Sequence, residues 1–244
     1  METVPLFLLL FFLWRDTIKQ MYGKEVGALA HFVMSDIHGE GIRFWKMLDT
    51  IGFSADDTLF VLGDVIDRGA DGVELLRYVL DRPNIHMLMG NHEQMCVDAL
   101  APAATFLEQL RWNRNGNAAT LQAIQAMQPE DKAVLLDDLA QLPDHMDITV
   151  GGKRFHLVHG FPGETTYSRL WCRPDYYTPN PFPDTTVIVG HTPVVVYASY
   201  EPIRDHMRIL HAPGFIDIDC GCGHRHDTRR LACLRLEDMA EFYT

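Results

Sequence analysis

The stretch that decides the fold is Thr58–Gly69, TLFVLGDVIDRG, in which an apolar run leads directly into a polar loop. The run Thr58–Leu62 predicts a buried strand, because short apolar segments bounded by turn residues are typical of such strands. The loop that follows carries Asp64, Asp67 and Arg68 between two glycines. Since open α/β sheets bind their ligands at the carboxyl ends of their strands, this loop is a candidate site.

The same arrangement recurs on both sides of this stretch. His31–Ser35 (HFVMS) and Ile85–Met89 (IHMLM) predict two more strands, and each ends in polar residues. The polar residues after these two strands are Asp36, His38, Asn91 and His92. Between the strands, Ile42–Ile51 and Gly72–Leu80 have the spacing of amphipathic helices. Alternating strands and helices with short connections predict a parallel sheet with right-handed crossovers.

The second half of the chain begins with helical sequence and then becomes rich in strands. Helical periodicity over 93–142 is interrupted at Asn113–Asn117, and a Gly-Gly turn further on predicts a hairpin. The predicted strands of this half are Met146–Val150, Arg154–Val158, Thr186–Val189, Val194–Ala198, Phe215–Asp219 and Leu231–Leu236. His159 and His191 each follow one of these strands. Carboxylate, amide and imidazole side chains therefore meet at one edge, and such a donor set suits Mn, Fe or Zn.

Composition limits the classes of partner that this edge of the sheet can bind. The 244 residues are 47% hydrophobic and 22% charged, which excludes a disordered or low-complexity chain. Acidic residues outnumber basic ones 33 to 21, so the net charge of −12 is wrong for a protein that holds nucleic acid through its phosphates. We expect no nucleic-acid partner. The five cysteines lack the spacing of a disulfide framework, which predicts a reducing, cytoplasmic location.

One segment stands apart from the rest, the apolar run Val4–Trp14, VPLFLLLFFLW. Its eleven residues are fewer than the about 20 that span a bilayer, and it lacks the basic start of a signal peptide. We therefore expect no membrane association, and we divide the chain into an extension of unknown role at 1–30 and a single catalytic domain at 31–244. Whether the run docks on the domain or on a partner, or precedes a true start at Met21, stays open.

Three motifs together resemble those of the calcineurin-like metallophosphoesterases: Asp36-x-His38, Gly63–Gly69 (GDVIDRG) and Gly90–Glu93 (GNHE). The complete DRG and the GNHE ending are similar to the phosphoprotein phosphatase branch, particularly its small bacterial and phage Ser/Thr phosphatases. The resemblance covers about 31–236. It implies an α/β fold, a four-layer αββα sandwich with two mixed β-sheets. It also implies two divalent metal ions, with Mn as the expected metal and Fe or Zn as alternatives.

The resemblance also implies roles for individual residues. The metal ligands would be Asp36, His38, Asp64, Asn91, His159 and His191, with Asp64 shared between the two ions. A hydroxide activated by the two metals would attack phosphorus in line. His92 would protonate the leaving group as general acid, and Asp67 would orient its imidazole. Arg68 and Arg173 would bind the phosphate, with Arg169 as a nearby alternative to Arg173.

Three functions are compatible with this pattern. The leading hypothesis is a Ser/Thr protein phosphatase, with phosphotyrosine as an additional substrate class, that hydrolyses phosphorylated proteins or small phosphoesters. The second is a symmetrical dinucleoside tetraphosphatase or another nucleotide phosphoesterase. Those relatives generally have Asp after GNH, so Glu93 favours the first hypothesis. The third is a non-catalytic binding module, which predicts missing ligands. None of the expected ligands is missing, and His92 is present.

Two further stretches allow more than one interpretation. Trp112–Asn117 (WNRNGN) resembles a loop that borders the substrate cleft in bacterial relatives, although Asn and Gly also end ordinary helices. Cys220-x-Cys222-x-His224-x-His226 has alternating metal-ligand types, but structural zinc sites prefer wider spacings. We expect no additional zinc there.

Overall fold

The structure is a computed structural model that describes residues 29–199, 207–225 and 227–244. The apolar run Val4–Trp14 and His226 lie outside the described residues, as does nearly all of the predicted extension. Within the described ranges, no helix is long and apolar enough to cross a membrane.

The described residues form two mixed five-stranded sheets with helices packed on them. The strands are β1 (His31–Met34), β2 (Thr58–Val61), β3 (Ile85–Met87), β4 (His145–Val150), β5 (Lys153–Val158), β6 (Thr185–Val189), β7 (Leu210–His211), β8 (Ile216–Asp217), β9 (Ala232–Arg235) and β10 (Ala240–Tyr243). The helices are α1 (Gly41–Thr50), α2 (Gly72–Leu80), α3 (Asn91–Leu100), α4 (Phe106–Arg114), α5 (Ala118–Gln125), α6 (Pro129–Ala140) and α7 (Thr166–Trp171). The strand orders are β10-β9-β1-β2-β3 and β4-β5-β6-β8-β7. The predicted α/β class with two mixed sheets is confirmed.

The first sheet is built as the alternation of strands and helices predicts. β1, β2 and β3 are parallel neighbours, with Val33 opposite Phe60. Because successive side chains of a strand point to opposite faces, Phe32 packs into the core that also contains Phe44 of α1. Val33 instead packs into a second core with Phe155 of the other sheet. This packing aligns the carboxyl ends of β1, β2 and β3 at one edge.

The predicted strand Val194–Ala198 is wrong, because this segment forms the 3₁₀ helix Val194–Tyr197. Its β-branched composition favours a strand, but Pro193 precedes it and its burial repeats every three residues. Val194 and Tyr197 are buried while the intervening valines are exposed, which matches the three residues per turn of a 3₁₀ helix. The Tyr197 hydroxyl donates to the Pro174 carbonyl at 2.9 Å, so the turn is fixed by the chain before β6.

Candidate metal centre and active site

The loops at the strand ends adopt backbone conformations that side chains rarely allow. Six residues at this edge have positive φ: Asp36, His38, Asp64, Asp67, Arg68 and His191. A left-handed non-glycine residue costs about 1–2 kcal/mol, and such strain clusters at functional sites. Hydrogen bonds between the loops offset it, since His38 N–H donates to the Asp64 carbonyl and Gly69 N–H donates to the His38 carbonyl, both at 2.9 Å. The loops are thus locked to one another.

Glu93 is the buried anchor of these loops rather than a substrate contact. Its carboxylate accepts hydrogen bonds from the backbone N–H groups of Asp64 (2.8 Å), Val65 (2.9 Å), Ile66 (3.3 Å) and Gly90 (3.1 Å). The side chain is fully buried. Glu93 therefore holds the loops of the site in place and does not itself contact a substrate.

Replacing Glu93 by alanine should lower the free energy of unfolding by about 3 kcal/mol or more, because it leaves buried N–H donors unpaired. Urea denaturation with chelator present measures this cost without metal binding. Glu74→Ala, at an exposed position of α2, is the control and should change stability by less than about 0.5 kcal/mol. A Glu93→Ala protein as stable as the control would contradict the anchoring role.

The Asp64 carboxylate lies at the centre of the site, between two groups of potential metal ligands. Its Oδ2 is 3.6 Å from His38 Nε2 and 3.8 Å from His92 Nε2. Its Oδ1 is 3.4 Å from His159 Nε2, and His191 joins that side. In each group, His38–Asp64–His92 and Asp64–His159–His191, the ligand atoms lie within 4.8 Å of one another. A carboxylate that offers one oxygen to each group can bridge two ions.

The remaining two predicted ligands lie at the edges of these groups. Asp36 Oδ1 is 3.8 Å from His38 Nε2, while its Oδ2 accepts from the Ser35 hydroxyl at 2.6 Å. Asn91 Oδ1 is 2.9 Å from His159 Nε2. The structure therefore brings all of the predicted ligands together.

The electrostatics of the buried ligands fit divalent cations. Burial lowers the pKa of His38 well below its ordinary value, with His92 and Arg68 adding to the effect, and burial lowers the pKa of His191 to about 2. These imidazoles are therefore neutral, the form that binds metals. Burial also raises the pKa of Asp64, so a bound cation would offset the cost of its charge. His191 Nε2 is buried without a hydrogen-bond partner among the described residues. This donor set fits two first-row divalent ions.

His92 and Asp67 form a buried pair beside these groups. His92 Nδ1 lies 2.7 Å from Asp67 Oδ2, and because a carboxylate only accepts, Nδ1 carries the hydrogen. His92 Nε2 is left facing Arg68 Nη2 at 3.2 Å. The same Nε2 is close to Asp64, so the geometry admits two roles for His92, proton donor and metal ligand.

The structure separates the two arginines that the sequence left as alternatives. Arg173 Nη1 donates to the His191 carbonyl at 2.7 Å, which places it at the edge of the site. Arg169 is engaged elsewhere, with Nη2 2.7 Å from Asp144 Oδ2 and Nη1 donating to the Gly163 carbonyl at 2.7 Å. Arg173 is therefore the better candidate for binding phosphate.

Arg173→Ala should raise KM for a phosphate ester about 10-fold, since a hydrogen bond to a charged group contributes about 1.5–3 kcal/mol. Steady-state hydrolysis of an aryl phosphate measures KM and kcat separately. Arg169→Ala is the matched control, and its KM should stay within about 2-fold of the parent, because loss of its partly exposed ion pair costs little. The reverse pattern would assign the phosphate contact to Arg169.

The remaining sequence motifs also have defined positions. Trp112–Asn117 ends α4 and, in addition, contacts the site, because the Gly116 carbonyl accepts from Arg68 N–H at 2.9 Å. Cys220 and Cys222 are buried, and burial raises the pKa of both thiols. Neither they nor His224 belong to a candidate metal group formed by the described residues, and the absence of zinc there stays a prediction.

Asp219 is a buried acid at this edge that no sequence motif identifies. Its Oδ1 accepts from Gly221 N–H at 2.9 Å, and burial together with nearby Asp36 raises its pKa. It lies just beyond β8, so its position at the carboxyl end of a strand was an available signal.

Comparison with known proteins identifies the family of this chain. The model of the calcineurin-like phosphoesterase family matches residues 32–227. The chain belongs to this family. The match includes every candidate ligand described above, and the predicted resemblance is confirmed. Two groups of ligands that share one carboxylate agree with the two divalent metals that calcineurin-like phosphoesterases generally bind.

Similar proteins in this phosphoesterase family differ in their substrates. Symmetrical bis(5'-nucleosyl)-tetraphosphatase from Nitrosomonas europaea is 34% identical over 135 residues, which cover 54% of this chain and 44% of that protein. Serine/threonine-protein phosphatase 2 from Salmonella typhimurium is 28% identical over 152 residues, which cover 58% and 67%. This phosphoesterase thus spans less than half the length of the tetraphosphatase that it matches.

A solved structure supports the fold alone. A protein serine/threonine phosphatase from Saccharomyces cerevisiae superposes with a TM-score of 0.57 at 11% identity, covering 88% of this chain and 79% of that one.

Proposed function

We propose that this chain is a metal-dependent phosphomonoester hydrolase that acts on phosphoserine and phosphothreonine in proteins. The observation that carries the proposal is the Asp64 carboxylate, whose Oδ2 lies 3.6 Å from His38 Nε2 and whose Oδ1 lies 3.4 Å from His159 Nε2, beside the His92–Asp67 pair. Two metal ions next to a positioned imidazole are what in-line hydrolysis of a phosphoester needs.

The metals would be held by six residues that the structure brings together. These residues are Asp36, His38, Asp64, Asn91, His159 and His191. When bound, the ions would supply an activated water at neutral pH and neutralise charge on the phosphate. We propose Mn²⁺, because the donor set mixes oxygen and imidazole nitrogen and contains no thiolate.

The protein's own groups bind the substrate and move the proton. Arg68 and Arg173 bind the phosphate oxygens through planar guanidinium groups, which match phosphate geometry better than an ammonium does. In its doubly protonated form His92 gives the Nε2 proton to the leaving oxygen and becomes neutral, while its Nδ1–H stays bonded to Asp67. Asp67 fixes the ring orientation and stabilises the charged imidazole.

The His92–Asp67 pair favours an alcohol ester as substrate. A serine or threonine alkoxide is a strong base and leaves poorly unless it is protonated, whereas a phosphate group leaves readily without a proton. A positioned general acid therefore accelerates hydrolysis most when the leaving group is the hydroxyl oxygen of serine or threonine. The match to two thirds of the Salmonella protein phosphatase supports the same substrate class.

Hydrolysis of dinucleoside tetraphosphates is the second candidate function. The higher identity to the Nitrosomonas tetraphosphatase, 34% against 28%, favours it. Glu93 is buried and accepts from backbone N–H groups of the loops, so its side chain does not itself select against a dinucleotide.

A direct comparison of substrates tests the choice. The full chain with Mn²⁺ should hydrolyse a phosphoserine peptide with a kcat/KM at least about 10-fold above that for diadenosine tetraphosphate, a preference of about 1.4 kcal/mol. The Asp64→Asn protein, purified in parallel, controls for contaminating phosphatases. A preference for the dinucleotide would overturn the proposal in favour of the second candidate.

A further inference from the structure

The buried indole of Trp112 is bonded to the carboxylate that orients the proposed general acid. Trp112 lies in the last turn of α4 and is only 1% exposed. Its Nε1–H donates to Asp67 Oδ2 at 2.8 Å, the same oxygen that accepts from His92 Nδ1 at 2.7 Å. The other oxygen, Oδ1, is buried and accepts no hydrogen bond from the described part of the chain. The direction of the Asp67 carboxylate is thus set by two N–H groups, one from Trp112 and one from His92.

The chain that follows Trp112 also holds the backbone of Asp67 and Arg68. Both residues have left-handed φ, 70° and 67°, a conformation that side chains disfavour. Asp67 N–H donates to the Thr120 hydroxyl, and Arg68 N–H donates to the Gly116 carbonyl, both at 2.9 Å. Residues 112–120 therefore hold Asp67 at its side chain and at its backbone.

We propose that Trp112 is a positioning residue of the reaction, whose indole N–H fixes Asp67 so that His92 presents its proton to the leaving oxygen. The inference rests on the proposed role of His92 as general acid. Hydrogen bonds to a carboxylate are stronger than those between neutral groups and more so in a buried site. Without this donor, the Asp67 carboxylate can rotate and the imidazole loses its fixed direction.

Such a role has a signature that depends on the leaving group. Proton delivery limits the rate for a strongly basic alkoxide but matters little for a weakly basic nitrophenolate. Loss of the indole N–H should therefore slow hydrolysis of a phosphoserine peptide and spare 2,4-dinitrophenyl phosphate. A purely structural role would slow both substrates alike.

The test compares Trp112→Phe with the parent protein, both as the full chain with Mn²⁺, on these two substrates. We expect kcat for the phosphoserine peptide to fall about 10-fold, the lower end of the range for residues that orient a site residue through a hydrogen bond. The kcat for the dinitrophenyl ester should stay within about 2-fold of the parent. Both KM values should be unchanged. Trp45→Phe, the same substitution at an exposed position of α1, is the control and should change neither rate. Equal losses on both substrates, or no loss on either, would overturn the proposal.

A second replacement keeps the test decisive if Trp112→Phe does not fold. Benzothienylalanine at position 112 has the shape of tryptophan with sulfur in place of the N–H group, so packing is retained. It should give the same selective loss, and unchanged hydrolysis of the phosphoserine peptide would overturn the proposal.

The His92→Asn protein separates this inference from the proposed function. If that protein lacks the selective loss, the general-acid role fails, whereas a selective loss there without one at Trp112 rejects only the positioning role.

Discussion

Asp64→Asn should lower kcat/KM by about 10³-fold or more for every phosphate ester, because loss of metal binding removes several kcal/mol of transition-state stabilisation. The amide keeps one oxygen but replaces the other by an NH₂ group, which donates hydrogen bonds and cannot bind a cation. One of the two ligand groups that share Asp64 would then lose its common member. Calorimetric titration with Mn²⁺ should show fewer or weaker sites than in the parent.

Asp64→Asn lowers activity, but it should not lower the free energy of unfolding of the metal-free protein. Burial raises the pKa of Asp64, so the folded state binds its proton more tightly than the unfolded state does. For such a group, stability falls as the pH rises above the unfolded pKa of about 3.9. Asparagine carries no charge and avoids this penalty. Metal-free Asp64→Asn should therefore be at least as stable as the parent near neutral pH, and the difference should vanish below about pH 4.

Urea denaturation with chelator and with Mn²⁺ separates the two effects. Mn²⁺ should stabilise the parent more than the variant, because a ligand stabilises the state that binds it. Asp56→Asn, at an exposed position before β2, is the control and should match the parent in activity and in the response to Mn²⁺. An Asp64→Asn protein that binds two ions and turns over normally would contradict the bridging position of Asp64.

The parts of the site that follow strands could be predicted from the sequence. Asp36, Asp64 and Asn91 each come within two residues after a predicted parallel strand, and the carboxyl ends of such strands share one edge. That Asp64 is shared between two metal ions is implied by the family resemblance and not by the spacing of the motifs. The distances from its two oxygens to His38 and His159 support this prediction independently.

Other parts could not be predicted because they depend on loop conformation. The hydrogen bonds of Glu93 exist only when several backbone N–H groups converge, and no periodicity encodes that convergence. The bond from Trp112 to Asp67 joins residues 45 positions apart. The strand predicted at Val194–Ala198 failed because β-branched composition is a weak guide where tertiary contacts determine the backbone.

His92→Asn should lower kcat for a phosphoserine peptide by about 10²–10⁴-fold, the range expected for loss of a general acid. An amide cannot give up a proton to an alkoxide, so the loss should be smaller for 2,4-dinitrophenyl phosphate, whose leaving group needs none. Asparagine can still accept from neighbouring donors, and we expect the affinity for Mn²⁺ to remain within a few-fold of the parent. His86→Asn, exposed on β3, is the control and should retain full activity.

The His92→Asn variant decides between the two roles that the geometry allows for His92, metal ligand and general acid. Its Nε2 lies near Asp64 and His38 as a ligand would, yet its Nδ1 is bonded to Asp67, an arrangement that suits both a metal-bound and a proton-donating imidazole. A ligand role predicts weaker Mn²⁺ binding and equal losses on both esters. A general-acid role predicts intact binding and a loss that grows with the basicity of the leaving group. Because the two outcomes differ in both measurements, a single pair of experiments on His92→Asn assigns the residue.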